Sequence, residues 1–200
     1  MMATTHALVG LAVAAVVSLV APEFGLVAAA AGLAGGVFPD LDLYAGHRRT
    51  LHFPVYFSTL AAPAAAAAAA APTAWTVGVA VFLVAAALHA ASDALGGGLE
   101  LEPWRATSER AVYSHFHRRW IRPRRLVRYD GAPEDLAVAA VVGVPASLAF
   151  GPGVQRLVAA ALAVSAGYVA VRKRLPAVAA WLSARVPDGL RHRVPERFTT

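Results

Sequence analysis

A histidine and an aspartate at the end of a long apolar segment are, by type and by spacing, the residues of this sequence best suited to chemistry. His89 and Asp93 close a run that starts at Ala74. Side chains four positions apart lie on one face of a helix, so an imidazole nitrogen and a carboxylate oxygen can approach one cation. Hydrocarbon solvates ionisable groups poorly, and the pair therefore indicates a functional site, although a simple hydrogen bond between the two residues is the alternative.

The composition is typical of a membrane protein. Of the 200 residues, 58% are hydrophobic and 15% are charged. The charges are concentrated in a few segments between long runs of Ala, Val and Leu, which predicts a polytopic, all-α bundle. The chain has no cysteine, so disulfides, thiolate metal sites and thiol nucleophiles are excluded. A metal would be held by His and carboxylate, and zinc is the first candidate.

Apolar segments predict about six membrane spans, which leave room for a single membrane-embedded domain over residues 1–200. The third segment is so rich in alanine that burial inside the bundle is favoured over contact with lipid. The fourth ends in three glycines at 96–98, which predict a flexible exit. The segments cover residues 7–20, 24–38, 53–71, 74–94, 136–150 and 154–171.

The distribution of basic residues predicts the orientation. If the spans alternate, the N-terminus, the loops 39–52 and 92–135 and the basic tail 172–200 share one side, and Arg156 alone is opposite. The positive-inside rule makes the basic side cytoplasmic, in a plasma or inner membrane, with both termini inside. The basic side contains Arg48, Arg49, Arg105, Arg110, Arg118, Arg119, Arg122, Arg124, Arg125, Arg128, Arg172, Lys173, Arg174, Arg185, Arg191, Arg193 and Arg197.

The same alternation brings the potential metal ligands to the cytoplasmic face. Each has an ordinary explanation by itself, such as a turn with solvated acids or a polar residue at the headgroup level. Those explanations do not account for the gathering on one side, and a shared metal site is favoured over coincidence. The candidates are His6, Asp40, Asp42, His47, His52, His89 and Asp93.

The first half of the chain resembles a family, the membrane-bound metal-dependent hydrolases of the LexA-binding, inner membrane-associated type. The resemblance depends on His6 with Gly10, on the segments GVFPDLD (36–42) and HRRTLH (47–52), and on the HAASD segment (89–93). More remotely, the order Asp, His, His-x-x-x-Asp is similar to the zinc cluster of zinc-dependent phospholipases C and single-strand nucleases.

The resemblance implies a site with two histidines and two aspartates as its main ligands: Asp40 or Asp42 with His52, His89 and Asp93. It also implies that His6 serves a neighbouring metal through a shared Asp93, so one or two ions are expected.

A zinc ion held in this way, with one carboxylate able to swing, leaves a position for water and lowers its pKa toward neutrality. We take Asp40 as the ligand and assign catalytic roles to Asp42, as general base or bridge to a second ion, and to His47. Arg48 is the candidate for binding a phosphate oxygen, with a headgroup contact as its alternative. Hydrolysis of a phosphoester, including phospholipid-derived ones, is the expected reaction.

The basic loop 92–135 predicts a short amphipathic helix over residues 107–120, which lies in the membrane interface with its arginines on anionic headgroups. Alternatives are a lid with His115 or His117 as a further ligand or proton shuttle, or a dock for a protein. Nucleic acid is not favoured as a partner, because no fold that binds it is recognisable. The tail from Lys173 predicts another interfacial helix.

Two other functions remain open. One is a non-catalytic scaffold with a structural metal, which binds a cytoplasmic protein through the basic loop. The other is a transporter with His89 and Asp93 as an ion site, although transporters usually place such sites near the membrane midplane. A catalytic metal keeps an open position whereas a structural one is closed, and this difference separates an enzyme from a scaffold.

Overall fold

The protein is mostly helical, as seen in a computed structural model that describes residues 1–43, 45–187 and 189–190. A small antiparallel hairpin, β1 (Val112–Ser114) and β2 (Arg119–Ile121), interrupts the helices in the long basic loop. The α-helices of the described chain are α1 (Ala3–Val20), α2 (Gly25–Val37), α3 (Pro54–Ala70), α4 (Ala74–Ser92), α5 (Pro133–Ser147), α6 (Pro152–Val171) and α7 (Leu175–Ser183).

Four segments of the described chain are long and apolar enough to cross a membrane. They are Ala3–Val20, Pro22–Asp42, Ala74–Leu95 and Pro152–Ser183. Helix α3 is apolar but has only 17 residues, and α5 has 15. The prediction of a helical membrane protein is confirmed to this extent, and the number of six spans stays a prediction.

Successive long helices run in opposite directions, which brings the chemically interesting residues to one end of the bundle. Helices α1 and α5 are parallel, because the Thr5 hydroxyl donates to the Asp135 carboxylate (2.7 Å) and, three turns on, the Ser18 hydroxyl donates to the Ala149 carbonyl (3.2 Å). One end of the bundle, which we call the polar end, therefore contains the starts of α1, α3 and α5 and the ends of α2, α4 and α6.

Glycines allow the first helices to approach each other closely. Gly10 of α1 and Gly32 of α2 face each other, and neither position has space for a Cβ. Gly36 lies in the same way against the backbone of His6. Small residues at helix contacts are typical of membrane bundles, where packing rather than exclusion of water holds helices together.

Two predictions about flexibility and burial are wrong. Only Phe57 and Ala61 of α3 are buried, because this helix packs against α4 on one side and exposes the rest of its surface. The three glycines after α4 are buried, and the Gly97 carbonyl accepts a hydrogen bond from Arg48 (2.8 Å). The segment is packed beneath that arginine, and it is not a loose exit.

The predicted amphipathic helix over residues 107–120 is also wrong, since this stretch contains the β-hairpin. Tyr113 pairs with Trp120, and β-branched and aromatic residues of this kind favour strands. Arg118, with a φ of 53°, belongs to the turn between the strands.

In the tail, the predicted helix is present as α7, whereas Arg191, Arg193 and Arg197 lie outside the described residues.

Candidate metal centre

Three separate stretches of chain meet at the polar end. Asp40 lies in a 3-10 turn (Phe38–Asp42) that continues α2, and the proline at the second position of this turn suits a helical start. His52 lies just before α3. His89 is in the last turn of α4, and Asp93 caps that helix.

These four residues each direct one ligand atom toward a common point, and the four atoms lie within 4.8 Å of one another. His52 Nε2 lies 3.2 Å from His89 Nε2 and 3.2 Å from Asp93 Oδ2. Asp40 Oδ1 lies 3.5 Å from His89 Nε2. In a tetrahedral zinc site with zinc–ligand bonds of about 2.0–2.2 Å, neighbouring ligand atoms lie about 3.3–3.6 Å apart. The cluster could therefore hold a metal ion.

Contacts behind both imidazoles fix which nitrogen faces the cluster. His52 Nδ1 donates to Asp42 Oδ2 (3.0 Å), and His89 Nδ1 donates to the Gly36 carbonyl (2.6 Å). Carboxylate and carbonyl oxygens only accept, so the proton of each neutral ring is on Nδ1 and the lone pair of Nε2 points inward. Acceptors of this kind at hydrogen-bond distance repel each other unless a cation lies between them. Such contacts behind ligands are typical of metal sites.

Asp93 supplies a buried oxygen that is free for a cation. Its Oδ1 is near His6 Nε2 (3.2 Å), Arg48 Nη2 (3.4 Å) and the amine of Met1 (3.0 Å). Its Oδ2 is buried without a hydrogen-bond partner among the described residues. Because an unsatisfied buried carboxylate oxygen is costly, this atom fits a metal ligand.

His6 does not belong to the group of four. Its ring stacks on that of His89, with centroids 3.6 Å apart, and its Nδ1 lies 3.3 Å from the hydroxyl of Ser92. It contacts the Asp93 oxygen that the group of four leaves unused. Its role at a neighbouring metal through Asp93 stays a prediction.

Asp42 is fully engaged by hydrogen bonds from the loop that follows it. Its Oδ1 accepts from His47 Nδ1 (3.1 Å) and the Arg48 N–H (3.3 Å), and its Oδ2 accepts from the Leu51 N–H (3.0 Å) and His52 Nδ1. Burial lowers the pKa of the His47 imidazole, and the Arg48 charge adds to this effect. The catalytic roles of Asp42 and His47 stay predictions, and the contacts give Asp42 a positioning role.

Arg48 is buried beside the cluster, although we expected it to contact a substrate phosphate. Its Nη1 donates to the Gly97 carbonyl, its Nη2 is near Asp93, and its buried Nε has no hydrogen-bond partner among the described residues. Its φ of 59° is unusual for a residue other than glycine. The guanidinium is placed to neutralise Asp93, and the substrate contact stays a prediction.

The sequence did not indicate the backbone atoms that support the site. The Gly36 carbonyl orients His89, and the Gly97 carbonyl orients Arg48. The pair Gly35 and Gly36 at the end of an apolar run indicates close helix packing, but the sequence does not show in which direction a backbone carbonyl points.

His115 and His117 are outside the group of four: the first donates to the Arg49 carbonyl (2.6 Å), and the second contacts the Ser114 hydroxyl (2.9 Å).

Comparison of the chain with protein families, with curated proteins and with solved structures found no match. The interpretation of the site therefore depends on its own geometry.

Proposed function

We propose that this protein is a membrane-bound, metal-dependent hydrolase of phosphoesters, with a zinc ion held by Asp40, His52, His89 and Asp93. The convergence of two lone-pair nitrogens and two carboxylate oxygens is the observation that supports it most strongly. A mixed set of imidazole and carboxylate ligands suits zinc better than magnesium or calcium, which prefer oxygen ligands.

Asp40 is the ligand that a water or a substrate would displace. Its side chain is 18% exposed, whereas those of His52, His89 and Asp93 are at most 1% exposed. Its Oδ1 also lies farther from His52 Nε2, at 3.9 Å, than the ligand atoms of His89 and Asp93 do. A divalent cation in such a site acts as a Lewis acid and lowers the pKa of a coordinated water.

The chain's own residues orient and neutralise this centre. Asp42 and the Gly36 carbonyl hold the two imidazoles from behind, and Arg48 offsets the charge of Asp93. His47 is 22% exposed and its Nδ1 is occupied by Asp42, so its Nε2 is the nitrogen left for proton transfer. We assign the proton-transfer role to His47.

The location of the site favours a substrate at the membrane surface. Four segments can cross a membrane; Asp40, His89 and Asp93 lie near the ends of two of them, and His52 lies just before the shorter apolar helix α3. Arginines surround this end, so a phosphomonoester or phosphodiester of a lipid headgroup is the substrate class that fits best. By the positive-inside rule, the site faces the cytoplasm in a plasma or inner membrane.

A non-catalytic scaffold is the second candidate, and one observation favours it. Four protein ligands complete a tetrahedron, and structural zinc sites are closed in this way. Three of the four ligands are almost fully buried. In that case the ion would hold three stretches of chain together, and the basic loop would bind a cytoplasmic protein.

Metal content and turnover of the purified protein test both candidates. We expect about one zinc per chain for the protein in detergent, or two if His6 serves a second ion, and less than a tenth of that for His89→Ala. His117→Ala, which changes an exposed imidazole outside the cluster, is the matched control. We also expect metal-dependent release of phosphate or headgroup from a panel of phosphoesters and phospholipids. Metal without turnover across the panel would overturn the hydrolase in favour of the scaffold, and full metal content in His89→Ala would overturn the site.

A further inference from the structure

The turn of the β-hairpin carries charged and aromatic side chains that the metal centre does not use. Arg118 and Arg119 are exposed, and neither side chain forms an ion pair or hydrogen bond with any residue of the described ranges. Phe116, two residues before Arg118, is 61% exposed. Two unpaired cations, one in the turn and one at the start of β2, lie beside a large exposed aromatic ring and require an explanation.

Contacts with the loop before α3 hold this turn in place. The Tyr113 N–H donates to the Arg48 carbonyl (2.9 Å), and His115 Nε2 donates to the Arg49 carbonyl. The Arg49 guanidinium lies over the Tyr113 ring, 4.8 Å from its centroid. The hairpin is therefore fixed at the polar end of the bundle, beside the first turn of α3.

An exposed apolar strip continues from the hairpin onto α3. The Phe116 ring lies 6.5 Å from that of Tyr56, and Leu60 follows Tyr56 by one helical turn on the same face. Tyr56 is 45% exposed and Leu60 is 53% exposed. The strip leads from the arginines toward the middle of the apolar helix α3. The surface of the protein therefore becomes less polar along the strip, as a bilayer does from its headgroups to its hydrocarbon.

We infer that the hairpin turn binds the anionic phospholipids of the membrane in which the protein resides. Arg118 and Arg119 contact headgroup phosphates, and Phe116 lies with Tyr56 at the boundary between headgroups and acyl chains. The adjoining apolar strip favours lipid over nucleic acid or an acidic protein segment, because it continues from the arginines onto the apolar helix α3, and a bilayer supplies both anionic headgroups and hydrocarbon in that order. This surface does not require the metal ion.

A single label on the turn tests the inference, because the chain has no native cysteine. His117→Cys carries an environment-sensitive fluorophore and keeps Phe116 and both arginines. In nanodiscs with phosphatidylglycerol, we expect a blue-shifted emission and quenching by brominated lipid. Both effects should be weaker in phosphatidylcholine alone. Replacing both arginines by glutamine should reduce the preference for the anionic lipid about tenfold or more.

The control is Arg156→Gln, which removes an exposed arginine at the opposite end and should leave the preference unchanged. An unchanged thermal unfolding curve in detergent for the arginine variants shows that the bundle is intact. A label that stays in water in both lipids, or is equally buried in both, would overturn the inference. So would a label that responds only to an added oligonucleotide or acidic peptide.

Discussion

At the scale of single residues, the candidate metal centre depends on side chains that are not ligands. Asp42 accepts four hydrogen bonds, two through each oxygen, from the segment of residues 47–52. It therefore shapes this loop and orients His52 at the same time. Contacts behind a ligand restrict its orientation and increase its basicity, which raises metal affinity.

Asp42→Asn should weaken metal binding without removing the site. The amide oxygen can still accept from His52 Nδ1, but the charge that increases the ring's basicity is lost, and we expect zinc affinity to fall about 10-fold to 100-fold. Competition with a chromophoric chelator measures this. Glu23→Gln, which changes an exposed acid at the opposite end, should leave affinity unchanged. Equal affinities for Asp42→Asn and the unaltered chain would contradict the positioning role.

At this scale the sequence predicted the residues of the metal cluster better than the burial of their neighbours. Asp40, His52, His89 and Asp93 were expected as ligands, because ionisable residues in apolar segments are rare and conspicuous. Arg48 is the candidate for a phosphate or headgroup contact, but its guanidinium is buried, since nothing in HRRTLH shows which arginine turns inward. That choice depends on Gly97 and Asp93, which are remote in sequence.

At the scale of elements, glycine contacts bring the ligands into register. Gly36 has two functions: its carbonyl accepts from His89 Nδ1, and its missing side chain lets α2 lie against the backbone of His6. Gly36 thus contributes both to the close approach of α1 and α2 and to the orientation of His89. Packing and metal affinity should respond together when it changes.

Gly36→Ala should lower both stability and metal affinity. The added Cβ would collide with the His6 carbonyl, and we expect a loss of about 1–3 kcal/mol in the free energy of unfolding. Thermal unfolding in detergent and chelator competition measure the two effects. Gly167→Ala in α6 is the matched control, because nothing lies within 4 Å of its Cβ. That variant should be unchanged or slightly more stable, since alanine favours helix. A Gly36→Ala protein with normal stability and affinity would contradict this packing.

A half-buried ion pair joins α6 to the segment before α5 at the polar end. Asp130 Oδ2 accepts from Arg172 Nε (2.9 Å) and Asp130 Oδ1 from Arg172 Nη2 (3.1 Å). Burial alone would raise the pKa of Asp130, but the hydrogen bonds and charge of Arg172 outweigh burial, and the pKa lies below its ordinary value of 3.8. A carboxyl group with a lowered pKa in the folded state stabilises the fold above its unfolded pKa.

Asp130→Asn should therefore destabilise the protein in a manner that depends on pH. Near neutrality we expect a loss of about 1.5–3 kcal/mol, the usual range for hydrogen bonds to charged groups. As the pH falls below 3.8 toward the pKa of the folded state, the unaltered chain loses the same contribution, so the difference in melting temperature should shrink. Glu109→Gln, which breaks an exposed pair with Arg122, should show little effect at any pH. A constant difference down to low pH would contradict the assignment.

The sequence predicted long helices well and the basic loop poorly. Long apolar runs have few alternatives to a helix in a membrane, so α1 and α4 lie within a few residues of their predicted positions. The stretch 107–120 is shorter, and Val112, Phe116 and Trp120 fit a helical repeat by chance. Strand pairing and the hydrogen bond from Tyr113 to Arg48 decide its structure, and neither contact is local.

At the scale of the whole molecule, the two ends of the bundle differ in charge. The polar end has the candidate metal centre, the hairpin and nearly all the arginines, whereas Arg156 and Glu23 are the charged residues near the other end of the described chain. This asymmetry predicts that the polar end faces the cytoplasm. Single cysteines report the side directly, because the chain has none of its own.

A cysteine at Gly153 and a cysteine at Arg118 should react from opposite sides of the membrane. Gly153 precedes most of α6 and has open space around it, and Arg118 lies on the hairpin turn at the polar end. In right-side-out vesicles, an impermeant maleimide should label Gly153→Cys within minutes and Arg118→Cys only after permeabilisation. Inside-out vesicles should give the reverse. The same side for both would contradict the alternating path of the helices, and a consistent reversal would place the metal centre outside the cell and exclude cytoplasmic substrates.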